Sequence, residues 1–188
     1  MFRDLTPRGK KVHGMVLYVL LMMLLPQTVS ALTFTDAYWQ YETLKMQIPS
    51  EYSVTESCIL NEEDSPVVEF DVSYYNEQAL HDAFGYESEE ECVRRYLMYT
   101  FLNEKGEGRK VDIGNNYPLY LYECMVLPKE ENAEEMPVVL ALLVDKEAEK
   151  IYGIFFENEM ANLDSATEFL RHVTINHDLK KYGILLQK

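Results

Sequence analysis

Positive charge is scarce in this chain: 17 Lys+Arg stand against 32 Asp+Glu, a net charge of -15 over 188 residues. An excess of carboxylates on this scale repels phosphate backbones and anionic lipid headgroups, which excludes nucleic acid as a partner and a polybasic membrane surface as an anchor. Cysteine is also sparse, at three residues, too few for a disulfide scaffold. No apolar run reaches the ~20 residues that a membrane-spanning helix requires. Neither CxxC nor closely spaced Cys and His occurs, so zinc and dithiol redox chemistry have no motif here. A GxSxG nucleophile elbow is missing as well. The pair Gly106 and Gly108 is too short and wrongly flanked to cradle phosphate.

What is present begins with an export pattern. Arg3, Arg8, Lys10 and Lys11 precede an apolar stretch from Met15 to Leu25, which Pro26 interrupts. Val29, Ser30 and Ala31 then supply compact side chains where a signal peptidase needs them, so residues 1–31 are expected to be a signal peptide cleaved after Ala31. Those residues hold four of the 17 basic side chains and one of the 32 acidic ones, so removing them leaves 157 residues with net charge −18. That is one domain's worth of chain, exported to the periplasm or the extracellular space, with no stable membrane anchor after cleavage.

The remaining sequence alternates between two periods. Leu44, Met46 and Ile48 recur every second residue up to Pro49, and Phe34, Tyr38, Trp39 and Tyr41 form either an earlier strand or an aromatic flap. In residues 67–75, Val68, Phe70, Val72 and Tyr74 point one way and Glu69, Asp71 and Ser73 the other, a strand with one wet face. Residues 88–103 switch to three-to-four spacing: Ser88 and Glu91 have capping-box spacing, and Val93, Tyr96, Leu97, Thr100 and Phe101 form the apolar stripe. Strands return at 117–126, at 138–144, whose unbroken apolar run marks a strand covered on both sides, and at 151–156 after a polar turn. Asp164 or Ser165 should cap a closing helix carrying Ala166, Phe169, Leu170 and Val173. The pattern predicts a single α+β domain, 32–188, with an antiparallel sheet of five or six strands and two main helices packed on it.

Three pieces of this pattern carry a family resemblance: the strand ending in Ile48 and Pro49, the hairpin at 142–156 (LLVDKEAEKIYGIFF), and the last helix at 165–173 (SATEFLRHV). In these pieces it resembles the PsbP-like superfamily of small α+β proteins. The resemblance implies an accessory or assembly role through binding other proteins, and it transfers no catalytic residue.

Candidate sites follow from residue chemistry. Fourteen tyrosines and one tryptophan are available, and both types present a rigid apolar ring with a polar tip, suited to protein interfaces and to stacking on sugars. Tyr74, Tyr75, Tyr120, Tyr122 and Tyr152 fall on neighbouring predicted strands and, with Trp39, are the expected partner surface, with core packing as the alternative. A protein partner is the first expectation, a glycan or small ligand stacked on Trp39 and the tyrosines the second. A hydrolase built around His81 or His177, each followed by Asp, is the third. His172 and His177 are spaced i,i+5, which places them about 140° apart on a helix rather than on one face, so no metal site is expected. No cofactor is expected either. With three cysteines at most one internal disulfide can form, between Cys58 and Cys124 if Cys92 is buried in its helix; three free thiols are the alternative.

Overall fold

Tyr120, Tyr122 and Cys124 alternate with Leu119 and Leu121 along one strand, and the two sets enter two separate cores. In the computed structural model this division runs through the molecule: one large sheet is covered on both faces. The structure describes residues 32–97, 100, 102–106, 108–114, 117–126 and 135–177, and leaves out the side chain of Ala37. The predicted signal peptide, 1–31, lies outside the described residues.

Eleven strands and three helices occur among the described residues. We label the strands β1 (Phe34–Tyr41), β2 (Leu44–Pro49), β3 (Ser53–Val54), β4 (Cys58–Leu60), β5 (Pro66–Tyr74), β6 (Leu102–Glu104), β7 (Arg109–Val111), β8 (Leu119–Val126), β9 (Met136–Asp145), β10 (Lys150–Phe156) and β11 (Val173–Ile175). The helices are α1 (Glu77–Phe84), α2 (Glu89–Leu97) and α3 (Leu163–Leu170), with a 3-10 turn at Asn158–Met160. The large sheet has the order β3-β4-β5-β10-β9-β8-β6, with β7 also on β8, and the second sheet is β1-β2-β11. Every pairing is antiparallel. The fold is therefore α+β as expected, but the sheets hold eight and three strands rather than five or six in one. The short strands β3, β4, β6, β7 and β11 account for the excess, since two or three residues cannot display a period.

Strand β9 explains the layering. Val139, Ala141 and Leu143 join one core, while Leu140, Leu142 and Val144 join the other. On the first face β2 adds Leu44, Met46 and Ile48, and α3 adds Ala166, Phe169 and Leu170. On the opposite face α2 lays down Cys92, Val93, Tyr96 and Leu97, and Leu80 of α1 packs beside them.

The helix starts follow local chemistry. Glu91 N–H donates to Ser88 Oγ at 3.2 Å, and Ser88 N–H donates back to a Glu91 carboxylate oxygen at 3.1 Å, closing the capping box read from the sequence. Yet α2 stops at Leu97, where the Thr100 hydroxyl takes the Leu97 carbonyl at 2.8 Å. Leu102 and Asn103, expected at the end of the helix, instead belong to β6, paired with the edge of β8, and Phe101 of the expected stripe lies outside the described residues. The cap of α3 is Asn162, whose side chain accepts from Ser165 N–H at 2.8 Å, so neither Asp164 nor Ser165 serves, and Val173 belongs to β11. Helix α1 adds to the two expected helices: Asn76 caps its start, and Gly85, at φ 72, ends it in the left-handed conformation that glycine adopts without strain.

All of these elements lie in one compact unit, Leu32–Lys188. No described helix is long and apolar enough to cross a membrane.

Candidate functional site

The expected aromatic surface does not form. Trp39 is 2% exposed, stacked on Tyr41 and tilted against Phe70, so it offers no platform to a sugar. Tyr152 is fully buried in the same core, its hydroxyl 2.6 Å from Thr43 Oγ1. Tyr75, Tyr120 and Tyr122 are buried in the other core, beneath α1 and α2. The Tyr75 hydroxyl donates to Glu77 and that of Tyr120 to Glu89, while that of Tyr122 has no hydrogen-bond partner among the described residues. Only Tyr74, at 69% exposure, reaches solvent. Alternation along β8 puts Tyr120 and Tyr122 on one face, and α2 covers that face.

The cysteine pairing is corrected too. Cys58, Cys92 and Cys124 are all free. Cys58 on β4 and Cys124 on β8 are separated by β5, β10 and β9, so about 19 Å of sheet intervenes, where a disulfide needs Cα atoms within about 7 Å. Burial pushes the Cys124 thiol up to about 11 and raises that of Cys92.

The histidines do not assemble a nucleophilic site. His81 is exposed on α1 beside Asp82 at 3.4 Å. His177 faces two carboxylates, with Nε2 2.9 Å from Asp145 Oδ2 and Nδ1 3.3 Å from Glu147. His172 stacks on Phe34, with Nδ1 2.8 Å from Gln47 Oε1. No group of three His, Cys, Asp or Glu that could hold a metal ion occurs among the described residues.

The site that does form was not singled out from the sequence. A cleft of about 510 Å³ opens between α2 and the large sheet. Its apolar lining includes Phe155 and Ile151 of β10, Leu80 of α1, Leu102 and Val126. The wet face of β5 adds Glu69, Asp71 and Ser73, and Glu157 follows directly after β10. Strand register places Glu69 opposite Phe155 and Asp71 opposite Gly153, so the acids flank the apolar floor. Exposed Tyr74 stands at the margin, as does Arg95, which lies over the Phe84 ring at 3.4 Å.

Two features set the electrostatics. The Tyr96 hydroxyl donates to Asp71 Oδ2 at 2.6 Å and fixes that carboxylate; burial, reinforced by Asp71, raises the Tyr96 hydroxyl well above the ordinary phenol range. Position 153 must be glycine for this contact, because a Cβ there would lie 2.6 Å from the Tyr96 oxygen. Glu157 is half-buried, and burial together with nearby Glu69 raises its carboxyl above the usual range. None of the ion pairs among the described residues involves Glu69, Asp71 or Glu157. The signal that could have found them was the acidic alternation of β5, read as a wet face and no more.

No protein-family model matches the chain, and no curated protein matches it. Among solved structures, the Ran-binding protein Mog1p of Saccharomyces cerevisiae is similar over 77% of this chain and 96% of its own, with 8% identity and a TM-score of 0.46. The likeness is one of coarse outline and bears on neither activity nor partner.

Proposed function

We propose that the chain is an exported accessory domain without catalytic activity that binds another protein through the acidic cleft between α2 and the large sheet. One observation carries this reading: three carboxylates, Glu69 and Glu157 half-buried and Asp71 exposed, border an apolar floor, while Arg95, which also lines the cleft, lies over the Phe84 ring and forms none of the described ion pairs with them. Unpaired, partly desolvated charge beside exposed apolar surface is costly in isolation and becomes favourable when a partner completes it. The resemblance to the PsbP-like superfamily implies the same kind of role. Residues 1–31 act in this reading as a cleaved export signal, tested by the intact mass of the exported protein, which should match residues 32–188.

The binding role is tested by affinity capture from the native medium or envelope, comparing the wild type with Glu69→Gln/Asp71→Asn/Glu157→Gln. Proteins retained by the wild type and lost from an equally folded variant support the cleft. Identical retention by both rules it out.

A further inference from the structure

The large sheet presents an apolar outer face on β8, β9 and β10, and α1 and α2 cover it. Strand β5 continues that face with Glu69, Asp71 and Ser73, so the floor changes from apolar to acidic within one strand spacing. The cleft opens over this border. A ligand filling it therefore needs an apolar part and a cationic part joined by a few bonds.

We propose that the cleft receives a lysine or arginine side chain from an extended segment of a protein partner, its charged end among Glu69, Asp71 and Glu157 and its stem or a neighbouring apolar residue on Phe155 and Ile151. This rests on the binding reading above and names the chemistry of the partner. Lysine and arginine have this division, with a methylene stem that packs on apolar surface and a charged tip. About 510 Å³ exceeds one such side chain and leaves room for adjacent backbone, which favours a peptide over a single small cation. Asp71 is already oriented by Tyr96, so little side-chain freedom is lost on binding there. Glu157 supplies a readout: burial and Glu69 hold its carboxyl high, and a cation placed between the two reverses the second effect.

The test uses the full chain, ¹³C-labelled at glutamate carboxyls, titrated with a blocked heptapeptide containing one lysine flanked by leucines. Two control probes are the same peptide with norleucine for lysine, and spermidine. The expected result is a shift confined to cleft residues, binding of the norleucine peptide weaker by about tenfold or more, and a fall of the Glu157 carboxyl pKa when the lysine peptide is bound. Asp71→Asn should weaken the lysine peptide while leaving the melting temperature near that of the wild type. Equal binding of the lysine and norleucine peptides overturns the inference, as does binding of spermidine without either peptide. If no peptide binds but the triple variant still loses its captured protein, the cationic partner is wrong and the cleft reading stands. If the triple variant keeps its captured protein, the cleft reading fails with it.

Discussion

His177 places Nε2 at 2.9 and 3.0 Å from the two oxygens of Asp145, a carboxylate with no solvent exposure at the end of β9. Thr43 Oγ1 lies 3.3 Å from the same carboxylate, and Ala148 N–H donates to it at 3.0 Å. The segment following β11 is thereby fastened to the β9–β10 turn. Burying such a carboxylate is tolerable only while its donors remain.

Removing the imidazole should therefore be costly. His177→Ala is expected to lower unfolding free energy by about 2–3 kcal/mol, because it strands a buried charge. Glu147→Gln, at the exposed other side of the ring, should cost at most about 0.5 kcal/mol. Urea denaturation of the two variants separates them, and equal midpoints would contradict the role given to Asp145.

Gly153→Ala should disturb the cleft from below. The new methyl would meet the Tyr96 oxygen at 2.6 Å and ring carbon Cζ at 3.0 Å, forcing the ring off Asp71. A loss of about 1–3 kcal/mol is expected, and it should be smaller when measured in a Tyr96→Phe background. Additive losses would show that the two residues are not coupled.

Glu89 links three elements. Burial raises its carboxyl, but hydrogen bonds from Lys110, Lys146 and Tyr120 outweigh that and hold it down at about 2. A carboxyl depressed on folding contributes stability above its unfolded value, near 4.5, that disappears as pH falls toward 2. Glu89→Gln should cost about 1–2 kcal/mol at pH 7, discounted for partial solvent screening, and progressively less toward pH 3. Chemical denaturation across that range would expose a pH-independent cost, which the mechanism does not allow.

Glu157 should behave oppositely. Its carboxyl is raised on folding, by burial first and Glu69 second, so its ionised form opposes the folded state above the folded value, and the penalty vanishes below the unfolded one. Glu157→Gln is expected to stabilise the protein at pH 7 by up to about 1 kcal/mol, with no gain near pH 3. A destabilised variant at pH 7 would mean that Glu157 has a structural partner.

Thiol accessibility provides a fifth check. Cys58 is half-buried, whereas Cys92 and Cys124 are buried and their thiols raised. A disulfide-exchange reagent should titrate one thiol in the native protein and three after denaturation. Only one thiol after denaturation would restore the disulfide.

Long strands are legible because their patterns have room to appear: alternation marks β2, β5 and β8, and apolar runs mark β9 and β10, whereas β1, eight residues long, reads equally as a strand or an aromatic flap. The capping box of α2 was legible for the same local reason. Its C-terminus was not, because the partner that takes Leu102 and Asn103 is β8, a strand distant in sequence. Burial of Tyr75, Tyr120 and Tyr122 depended on where α1 and α2 come to rest, a tertiary choice that no strand pattern records. The cleft was hidden by the same circumstance. Glu69 and Asp71 were visible as a polar face, but Glu157 joins them only through the pairing of β10 with β5.

The second sheet sets a timetable for synthesis. Strand β2 pairs on one side with β1, just before it in the chain, and on the other with β11, where Val173 meets Met46. A ribosome must release almost the entire domain before that second pairing can close. Loop closure over such a separation is slow, and until then an edge of β2 is open to other chains. For this protein the hazardous interval is the wait for its last short strand.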